Sequence, residues 1–180
     1  NRTTPIPGDI AIASQSGAYG SHIYMVAHER GLGIRYWMTT GNEVDLSVGE
    51  TIQMMAEDPE VHTIMAYAES VKDGEQFTKA LDAARSEKKP VIFMKVGRSE
   101  VGAAAANSHT ASLAGEDVIY DEVLRAHGAY RVKSTEEMLD IAYATRAKTY
   151  PTGKNLGVVT ISGGGGVLIA DAAADEGLTV

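Results

Sequence analysis

One histidine is set apart by the residues around it. His109 lies between two hydroxyl side chains, Ser108 and Thr110, within the small-residue segment VGAAAANSHTASLAG. Neutral imidazole is available near pH 7, because its pKa is about 6.5, so its nitrogen can attack phosphorus without a separate base. Long loops of small residues are usually functional or mobile, which suits a phosphate carrier. We therefore predict that His109 is a nucleophile, and a plain surface-loop histidine is the alternative.

A single carboxylate follows an otherwise apolar run. Glu69 comes directly after TIMAYA, residues 63–68. A carboxylate that bonds one imidazole nitrogen fixes the tautomer and leaves the second nitrogen free to attack. Glu69 is therefore a candidate partner of His109, and a solvated carboxylate at a strand end is the alternative.

Two segments rich in serine or glycine could bind phosphate oxygens. Each follows a predicted strand and opens a predicted helix, where unpaired backbone N–H groups and the positive end of the helix dipole face an anion. Turns of this kind also occur for geometric reasons alone, so either segment by itself indicates a site only weakly. The candidate phosphate-binding residues are Ser14, Gln15, Ser16, Gly17 and Ala18 in the first segment and Ser162, Gly163, Gly164, Gly165 and Gly166 in the second.

Apolar runs that alternate with helical patterns predict the elements that carry these residues. Continuous apolar strands are typical of a parallel sheet covered by helices on both faces. The predicted strands are residues 9–14, 34–39, 63–67, 91–96, 129–132 and 157–161, and the predicted helices are 20–29, 46–57, 75–86, 117–126, 135–147 and 167–176. Ser47 with Glu50, and Ser134 with Glu137, have capping-box spacing.

This alternation predicts an α/β fold with a doubly wound parallel sheet in the order 2-1-3-4-5. In such a sheet ligands bind beyond the carboxyl ends of the strands, at the point between strands 1 and 3 where the order reverses.

We predict a linker at 1–7, one domain at 8–147 and a second linker at 148–154. Residues 155–180 then open a second, similar domain with its first βα unit. Because the sequence begins without Met and ends as another strand starts, we expect a fragment of a longer protein.

Composition narrows the class of function. The chain has 180 residues, 44% of them hydrophobic, and a formal net charge of −8, so a nucleic-acid partner is not expected. The absence of cysteine excludes disulfides, a thiol nucleophile and a cysteine-ligated zinc site, and it fits a reducing, cytoplasmic setting. No apolar run reaches the roughly 18 residues that a membrane span needs, and no metal site is predicted.

Several motifs, taken together in their order and spacing, resemble those of the NDP-forming acyl-CoA synthetase superfamily. This superfamily includes succinyl-CoA synthetase and the ADP-forming acetyl-CoA synthetases, and the resemblance covers nearly the whole chain. The motifs are SQSGA at 14–18, GN at 41–42, YAES and KDGEQF within 67–77, KPV at 89–91, SHT and LAG within 108–115 and SGGGG at 162–166. Many members read SHTGS, whereas this chain has Ala111 at the glycine position.

The resemblance implies a flavodoxin-like, succinyl-CoA-ligase-like domain in which His109 is phosphorylated during turnover and Glu69 orients it. It also implies that the two serine- and glycine-rich segments, one from each domain, cradle the phosphate. The residues expected near the carboxylic acid or CoA are Gly41, Asn42, Ser108 and Thr110.

The implied reaction converts a carboxylic acid, CoA and a nucleoside triphosphate, ATP or GTP, into acyl-CoA, the diphosphate and phosphate. It runs through an acyl phosphate and the phosphohistidine. CoA and ATP or ADP would be substrates, and Mg²⁺ would accompany the nucleotide in an ATP-grasp module. That module and a CoA-binding domain, in the same chain or in separate subunits, would complete such an enzyme, which could be an oligomer.

Two other functions fit the residues. One is a regulatory domain of synthetase-like fold that has lost its chemistry and only senses CoA or acyl ligands. The presence of both His109 and Glu69 favours the enzyme over this sensor, because a degenerate site should lack one of them. The other is a flavin- or nucleotide-binding domain without a phosphohistidine. A yellow colour of the purified protein would favour this function.

Overall fold

The computed structural model describes residues 4–102, residue 104 and residues 117–180. Contacts divide the chain into two compact units, Asn1–Arg146 and Ala147–Val180. Within the described residues no helix has the length and apolar character needed to cross a bilayer.

The first unit is built on a parallel sheet. In the described part of the chain, five strands pair in the order β2-β1-β3-β4-β5, and each pairing is parallel. This confirms the predicted doubly wound sheet and its order. The strands are β1 Ile10–Ser14, β2 Ile34–Thr39, β3 Thr63–Ala68, β4 Val91–Lys95 and β5 Tyr130–Arg131.

Helices connect the strands, and serine caps set several of their limits. The helices of this unit with both limits among the described residues are α1 Gly17–Glu29, α2 Val48–Glu57, α3 Gly74–Ser86, α4 Asp117–Ala126 and α5 Thr135–Thr145. α1 begins at Gly17 rather than at residue 20, because the Ser16 hydroxyl accepts a hydrogen bond from the Tyr19 N–H at 3.1 Å. A side chain in this position satisfies one of the donors that every helix start leaves open.

The two predicted capping boxes differ in outcome. At α2 the Ser47 hydroxyl accepts from the Glu50 N–H and the Glu50 carboxylate accepts from the Ser47 N–H, so the box is confirmed. At α5 the Ser134 hydroxyl accepts from the Glu137 N–H, but the Glu137 carboxylate accepts from the N–H of Lys133 instead. The second prediction was therefore half wrong, because the glutamate reaches one residue further back.

The core lies on both faces of the sheet, and the strand residues alternate between them as the twofold period of a strand requires. One cluster packs α2, α3 and α4 on one face, and the other packs α1 and α5 on the opposite face. Successive residues of β1 and β3 fall into different clusters: Ala11, Ala13, Ile64 and Ala66 belong to the first, and Ile10, Ile12, Met65 and Tyr67 to the second. A sheet covered in this way leaves its strand ends as the place for ligands.

The second unit contains a helix, α6 Gly163–Asp175, and one parallel bridge between Asn155 and Thr179. The strand predicted at 157–161 was wrong, since those residues have no regular secondary structure. A strand is defined by hydrogen bonds to a neighbour, and Val159 and Ile161 are fully exposed here. α6 begins before the predicted residue 167, because Ser162 caps the helix ahead of its glycines.

Candidate active site

The switch point of the sheet lies between β1 and β3, which are adjacent and in register from Ile10 opposite Thr63 to Ser14 opposite Tyr67. The segments that follow β1, β2 and β3 therefore leave the sheet at the same edge. These segments and the last residue of β1 supply the predicted site residues of the first unit that the structure describes: Ser14, Gln15, Ser16, Gly17, Ala18, Gly41, Asn42 and Glu69. Sequence reasoning placed these residues at one edge, and the strand order brings them there.

The start of α1 presents open backbone donors. The Ser14 side chain is buried and donates to the Ser16 carbonyl at 2.7 Å, which fixes the turn that leads into the helix. The N–H groups of Ser16, Gly17 and Ala18 have no acceptor among the described residues. Gly17 is exposed, and a Cβ added there would meet no atom within 4 Å. These donors, together with the helix dipole, can bind an anion.

Gln15 bonds to three other segments through its backbone and its side chain. Its backbone N–H donates to the Tyr67 carbonyl at 3.0 Å, so this N–H extends the pairing of β1 with β3. Its side-chain amide donates to a Glu43 carboxylate oxygen at 2.8 Å and to the Ser70 carbonyl at 2.6 Å. Its side-chain carbonyl accepts from the N–H groups of Glu69 at 2.7 Å and Ser70 at 3.2 Å. In this structure Gln15 orders the backbone after β3 rather than offering free donors to a phosphate.

Glu69 lies in a largely enclosed environment. It is only 7% exposed. Tyr67, which lies two residues earlier in β3, is 8% exposed. The Tyr19 ring packs on Tyr67 with 4.4 Å between centroids, and the Tyr19 hydroxyl is hydrogen-bonded to the Thr135 hydroxyl of α5. Burial, and next the negative charge of Glu69, raise the pKa of Tyr67 to about 12. A buried carboxylate at this edge of the sheet can orient an imidazole.

The loop after β2 is tied to the loop after β3. Gly41 and Asn42 are exposed, and Gly41 has a φ of +56°, which glycine adopts without strain. The Lys72 ammonium donates to the Asn42 carbonyl at 2.6 Å. Both predicted residues therefore border the same edge as Glu69.

Sequence reasoning missed a buried cation at the end of β4. Lys95 is 1% exposed, its ammonium donates to the Val96 carbonyl at 2.5 Å, and it lies 4.8 Å from the centre of the Tyr120 ring. Burial lowers the pKa of Lys95. The signal was present, because a lysine interrupts the apolar run VIFMKV, and lysine side chains are almost never fully buried unless they are paired.

An ion-pair group stands beside this lysine in the first unit. Arg131 of β5 bonds both Asp117 at 2.5 Å and Asp121 at 2.8 Å, and the Arg131 side chain is only 9% exposed. Asp117 also lies 3.9 Å from the Arg98 guanidinium. These contacts fix the start of α4 against β5.

The predicted residues Ser108, His109 and Thr110 lie outside the described residues. Their place relative to Glu69 is therefore a prediction. Among the described residues, no group of three or more histidine, aspartate or glutamate side chains could hold a metal ion.

The second unit repeats the arrangement found at the start of α1. The Ser162 hydroxyl accepts from the Gly165 N–H at 3.2 Å, and the N–H groups of Gly163 and Gly164 have no acceptor among the described residues. The Gly166 N–H donates to the Ser162 carbonyl at 3.0 Å. A Cβ at Gly163 would meet nothing within 4 Å. Within its own unit, this helix start has the donors that an anion needs.

Comparison with known proteins identifies the family. Residues 7–145 match the succinyl-CoA ligase like flavodoxin domain. The chain belongs to this family. The predicted family resemblance is thereby confirmed, and with it the flavodoxin-like character of the sheet.

The relatives of this succinyl-CoA ligase like chain include ADP-forming CoA ligases. The alpha subunit of acetate–CoA ligase (ADP-forming) I from Pyrococcus furiosus is 38% identical over 176 residues, which cover 98% of this chain and 38% of that subunit. The 4-hydroxybutyrate–CoA ligase (ADP-forming) of Nitrosopumilus maritimus is 36% identical over 95% of this chain and 25% of its own length.

A solved structure has the same fold over almost the whole chain. It is the dinucleotide forming acetyl-coenzyme A synthetase 1 of Ca. Korarchaeum cryptofilum in complex with phosphate and ADP, with a TM-score of 0.90 and 34% identity. The alignment covers 98% of this chain and 38% of that one. This chain thus spans between a quarter and two fifths of the length of these relatives.

Proposed function

We propose that this chain is the phosphohistidine-bearing part of an ADP-forming acyl-CoA synthetase. The reaction converts a carboxylic acid, CoA and ATP into acyl-CoA, ADP and phosphate. The observation that carries the proposal is the buried Glu69 beside the open helix start at 16–18, within a domain whose relatives are named ADP-forming CoA ligases.

Three displacements balance the reaction. An imidazole nitrogen of His109 attacks the γ-phosphorus of ATP, and ADP leaves with the electron pair of the broken P–O bond. A carboxylate oxygen of the acid then attacks the phosphohistidine, so that the P–N bond breaks, acyl phosphate forms and neutral imidazole returns. Finally the CoA sulfur attacks the acyl carbon, the thiol proton is lost, and phosphate leaves.

The residues of this chain have separate tasks in this scheme. Glu69 accepts a hydrogen bond from one nitrogen of His109 and so leaves the other nitrogen unprotonated for attack. The N–H groups of Ser16, Gly17 and Ala18 bind oxygens of the transferred phosphoryl group, where their charge-dipole attraction offsets the negative charge. The Ser162–Gly166 segment is proposed as the second phosphate site, and Gly41, Asn42, Ser108 and Thr110 lie near the acid or CoA.

Other parts of the enzyme supply the remaining functions in this proposal. A CoA-binding domain and an ATP-grasp module, in this polypeptide or in a companion subunit, bind the other two substrates. Mg²⁺ would be held with the nucleotide in that module, so no residue of this chain is assigned to it.

Phosphorylation of His109 gives a direct test. The full-length protein with its companion domains is incubated with ATP labelled at the γ-phosphate, and the bound label is then exposed to acid and to base. We expect a label that acid removes and base leaves, that His109→Ala abolishes, and that is lost when the carboxylic acid substrate is added.

A matched carboxylate variant tests Glu69. Glu69→Gln should slow labelling by about 100-fold, because the amide can no longer hold the imidazole in one tautomer as a charged partner does. Glu75→Gln, an exposed glutamate of α3, should label at the wild-type rate. Full acyl-CoA synthesis by His109→Ala would refute the proposal, whereas CoA binding without any label would favour the sensor function.

A further inference from the structure

We infer that Glu43 is a positioning residue for the phosphoryl transfer, acting through Gln15 on the backbone of Glu69. This inference rests on the proposed function, because Glu69 is the carboxylate assigned to orient the nucleophile. Glu43 follows the GN motif after β2 and was not a predicted site residue.

Glu43 is anchored at the start of a helix. One of its carboxylate oxygens accepts from the Val48 N–H at 2.8 Å, and Val48 is the first residue of α2. The positive end of the helix dipole favours a negative charge at this place. The carboxylate is therefore fixed relative to α2, which packs on the sheet through Ile52 and Met55.

The same oxygen of Glu43 holds the side chain of Gln15. The Gln15 amide donates to it at 2.8 Å, and this bond selects which end of the amide faces Glu43. With the amide nitrogen turned this way, the Gln15 carbonyl faces β3 and accepts from the Glu69 N–H at 2.7 Å. A chain of side chain and backbone contacts thus runs from α2 to the residue proposed to bind His109.

Two local costs indicate that Glu43 is not held for packing alone. Its φ of 53° lies in the left-handed region, where residues other than glycine are uncommon. Its second carboxylate oxygen is buried and has no hydrogen-bond partner among the described residues. Strain and an unsatisfied polar atom at one residue next to a site point to a functional constraint.

Steady-state kinetics of the full-length enzyme test the inference. Glu43→Ala should lower kcat about tenfold, because a charged hydrogen-bond partner is lost, and leave the KM values for acid, CoA and ATP unchanged. Glu43→Gln keeps an acceptor oxygen for Gln15 and Val48, so its kcat should stay within about threefold of wild type.

Controls separate positioning from folding. Glu43→Gly removes the same side chain but suits the positive φ, so it should fold at least as well as Glu43→Ala and lose as much kcat. Asp45→Ala, an exposed acid in the same loop, should keep the wild-type kcat. If the effect passes through Gln15, the double variant of Gln15→Ala with Glu43→Ala should be no slower than Gln15→Ala alone.

The outcomes divide cleanly. The inference would be overturned by a Glu43→Gly enzyme with wild-type kcat or by a Glu43→Ala enzyme with a raised KM at unchanged kcat. A Glu43→Gln enzyme as slow as Glu43→Ala would also overturn it. In all of these cases the wild-type enzyme still labels His109. Failure of the wild-type enzyme to label His109 would instead refute the proposed function.

Discussion

Tyr67 and Glu69 share the enclosed end of β3, and their proximity affects the acidity of the phenol. Tyr67 is 8% exposed, and both burial and the Glu69 charge favour its neutral form, which raises the pKa of Tyr67 to about 12. This residue-scale feature also makes the stability of the fold depend on pH.

The pH dependence can be predicted with its sign. Below pH 10 both the folded and the unfolded Tyr67 are protonated. Between pH 10 and about 12 the unfolded phenol ionises while the folded one stays neutral, so stability falls as the pH rises. Between pH 9 and 11.5, the free energy of unfolding should fall about 2 kcal/mol more in the wild type than in Tyr67→Phe.

Urea unfolding at these two pH values measures the difference. Tyr143→Phe, which removes the hydroxyl of an exposed ring in α5, is the control and should follow the wild type. Equal slopes for wild type and Tyr67→Phe would show that Tyr67 ionises as freely in the folded state as in the unfolded one.

At the scale of elements, serine caps start α1, α2, α5 and α6, and two of those starts carry the candidate phosphate donors. The caps of α1 and α6 use the same geometry, with the hydroxyl bonded to the N–H three residues on. This leaves the N–H groups between the cap and its partner open to a ligand. The cap of α2 has a different role. The Glu50 carboxylate accepts from the Ser47 N–H, so this donor is not open to a ligand.

Replacement of this cap should weaken α2. Ser47→Ala removes the hydroxyl that accepts from the Glu50 N–H, and we expect a loss of about 1 kcal/mol in the free energy of unfolding. Ser21→Ala provides the matched control, because Ser21 lies inside α1, where alanine is the better helix former. Denaturant unfolding should show a loss for the first variant and none for the second. Equal effects would mean that the capping box contributes nothing to stability.

At the scale of the whole molecule, the buried core is distributed unevenly between the two units. The residues of both core clusters lie between Ile10 and Ala142. In the second unit Val159, Ile161, Val167 and Leu168 are exposed, whereas Ala173 is buried. The first unit therefore contains the buried apolar core that a cooperatively unfolding domain needs.

Truncation tests this distribution. A chain ending at Arg146 should unfold cooperatively, with a free energy of unfolding within about 1 kcal/mol of the 180-residue chain, because the removed residues bury little apolar surface. Residues 147–180 alone should show little helix by circular dichroism, since isolated short helices are marginal in water. A truncated chain that fails to fold would place essential stabilising contacts beyond Arg146.

The sequence by itself determined the class of fold and the family. Apolar runs that alternate with helical periods are typical of a covered parallel sheet, and the joint spacing of eight motifs was specific where each motif alone was weak. Those local patterns also located Glu69 after a strand, because strand ends depend on nearby residues. They placed the start of α1 at residue 20, whereas the Ser16 cap starts the helix at Gly17.

The tertiary structure decided the contacts between segments far apart in the chain. Gln15 reads as a phosphate ligand in its local motif, but its partners Glu43 and Ser70 come from other loops, and only the strand order brings them together. Burial of Lys95 depends in the same way on Tyr120 of α4. The predicted strand at 157–161 did not form because a strand needs a hydrogen-bonded neighbour, which a local pattern cannot supply.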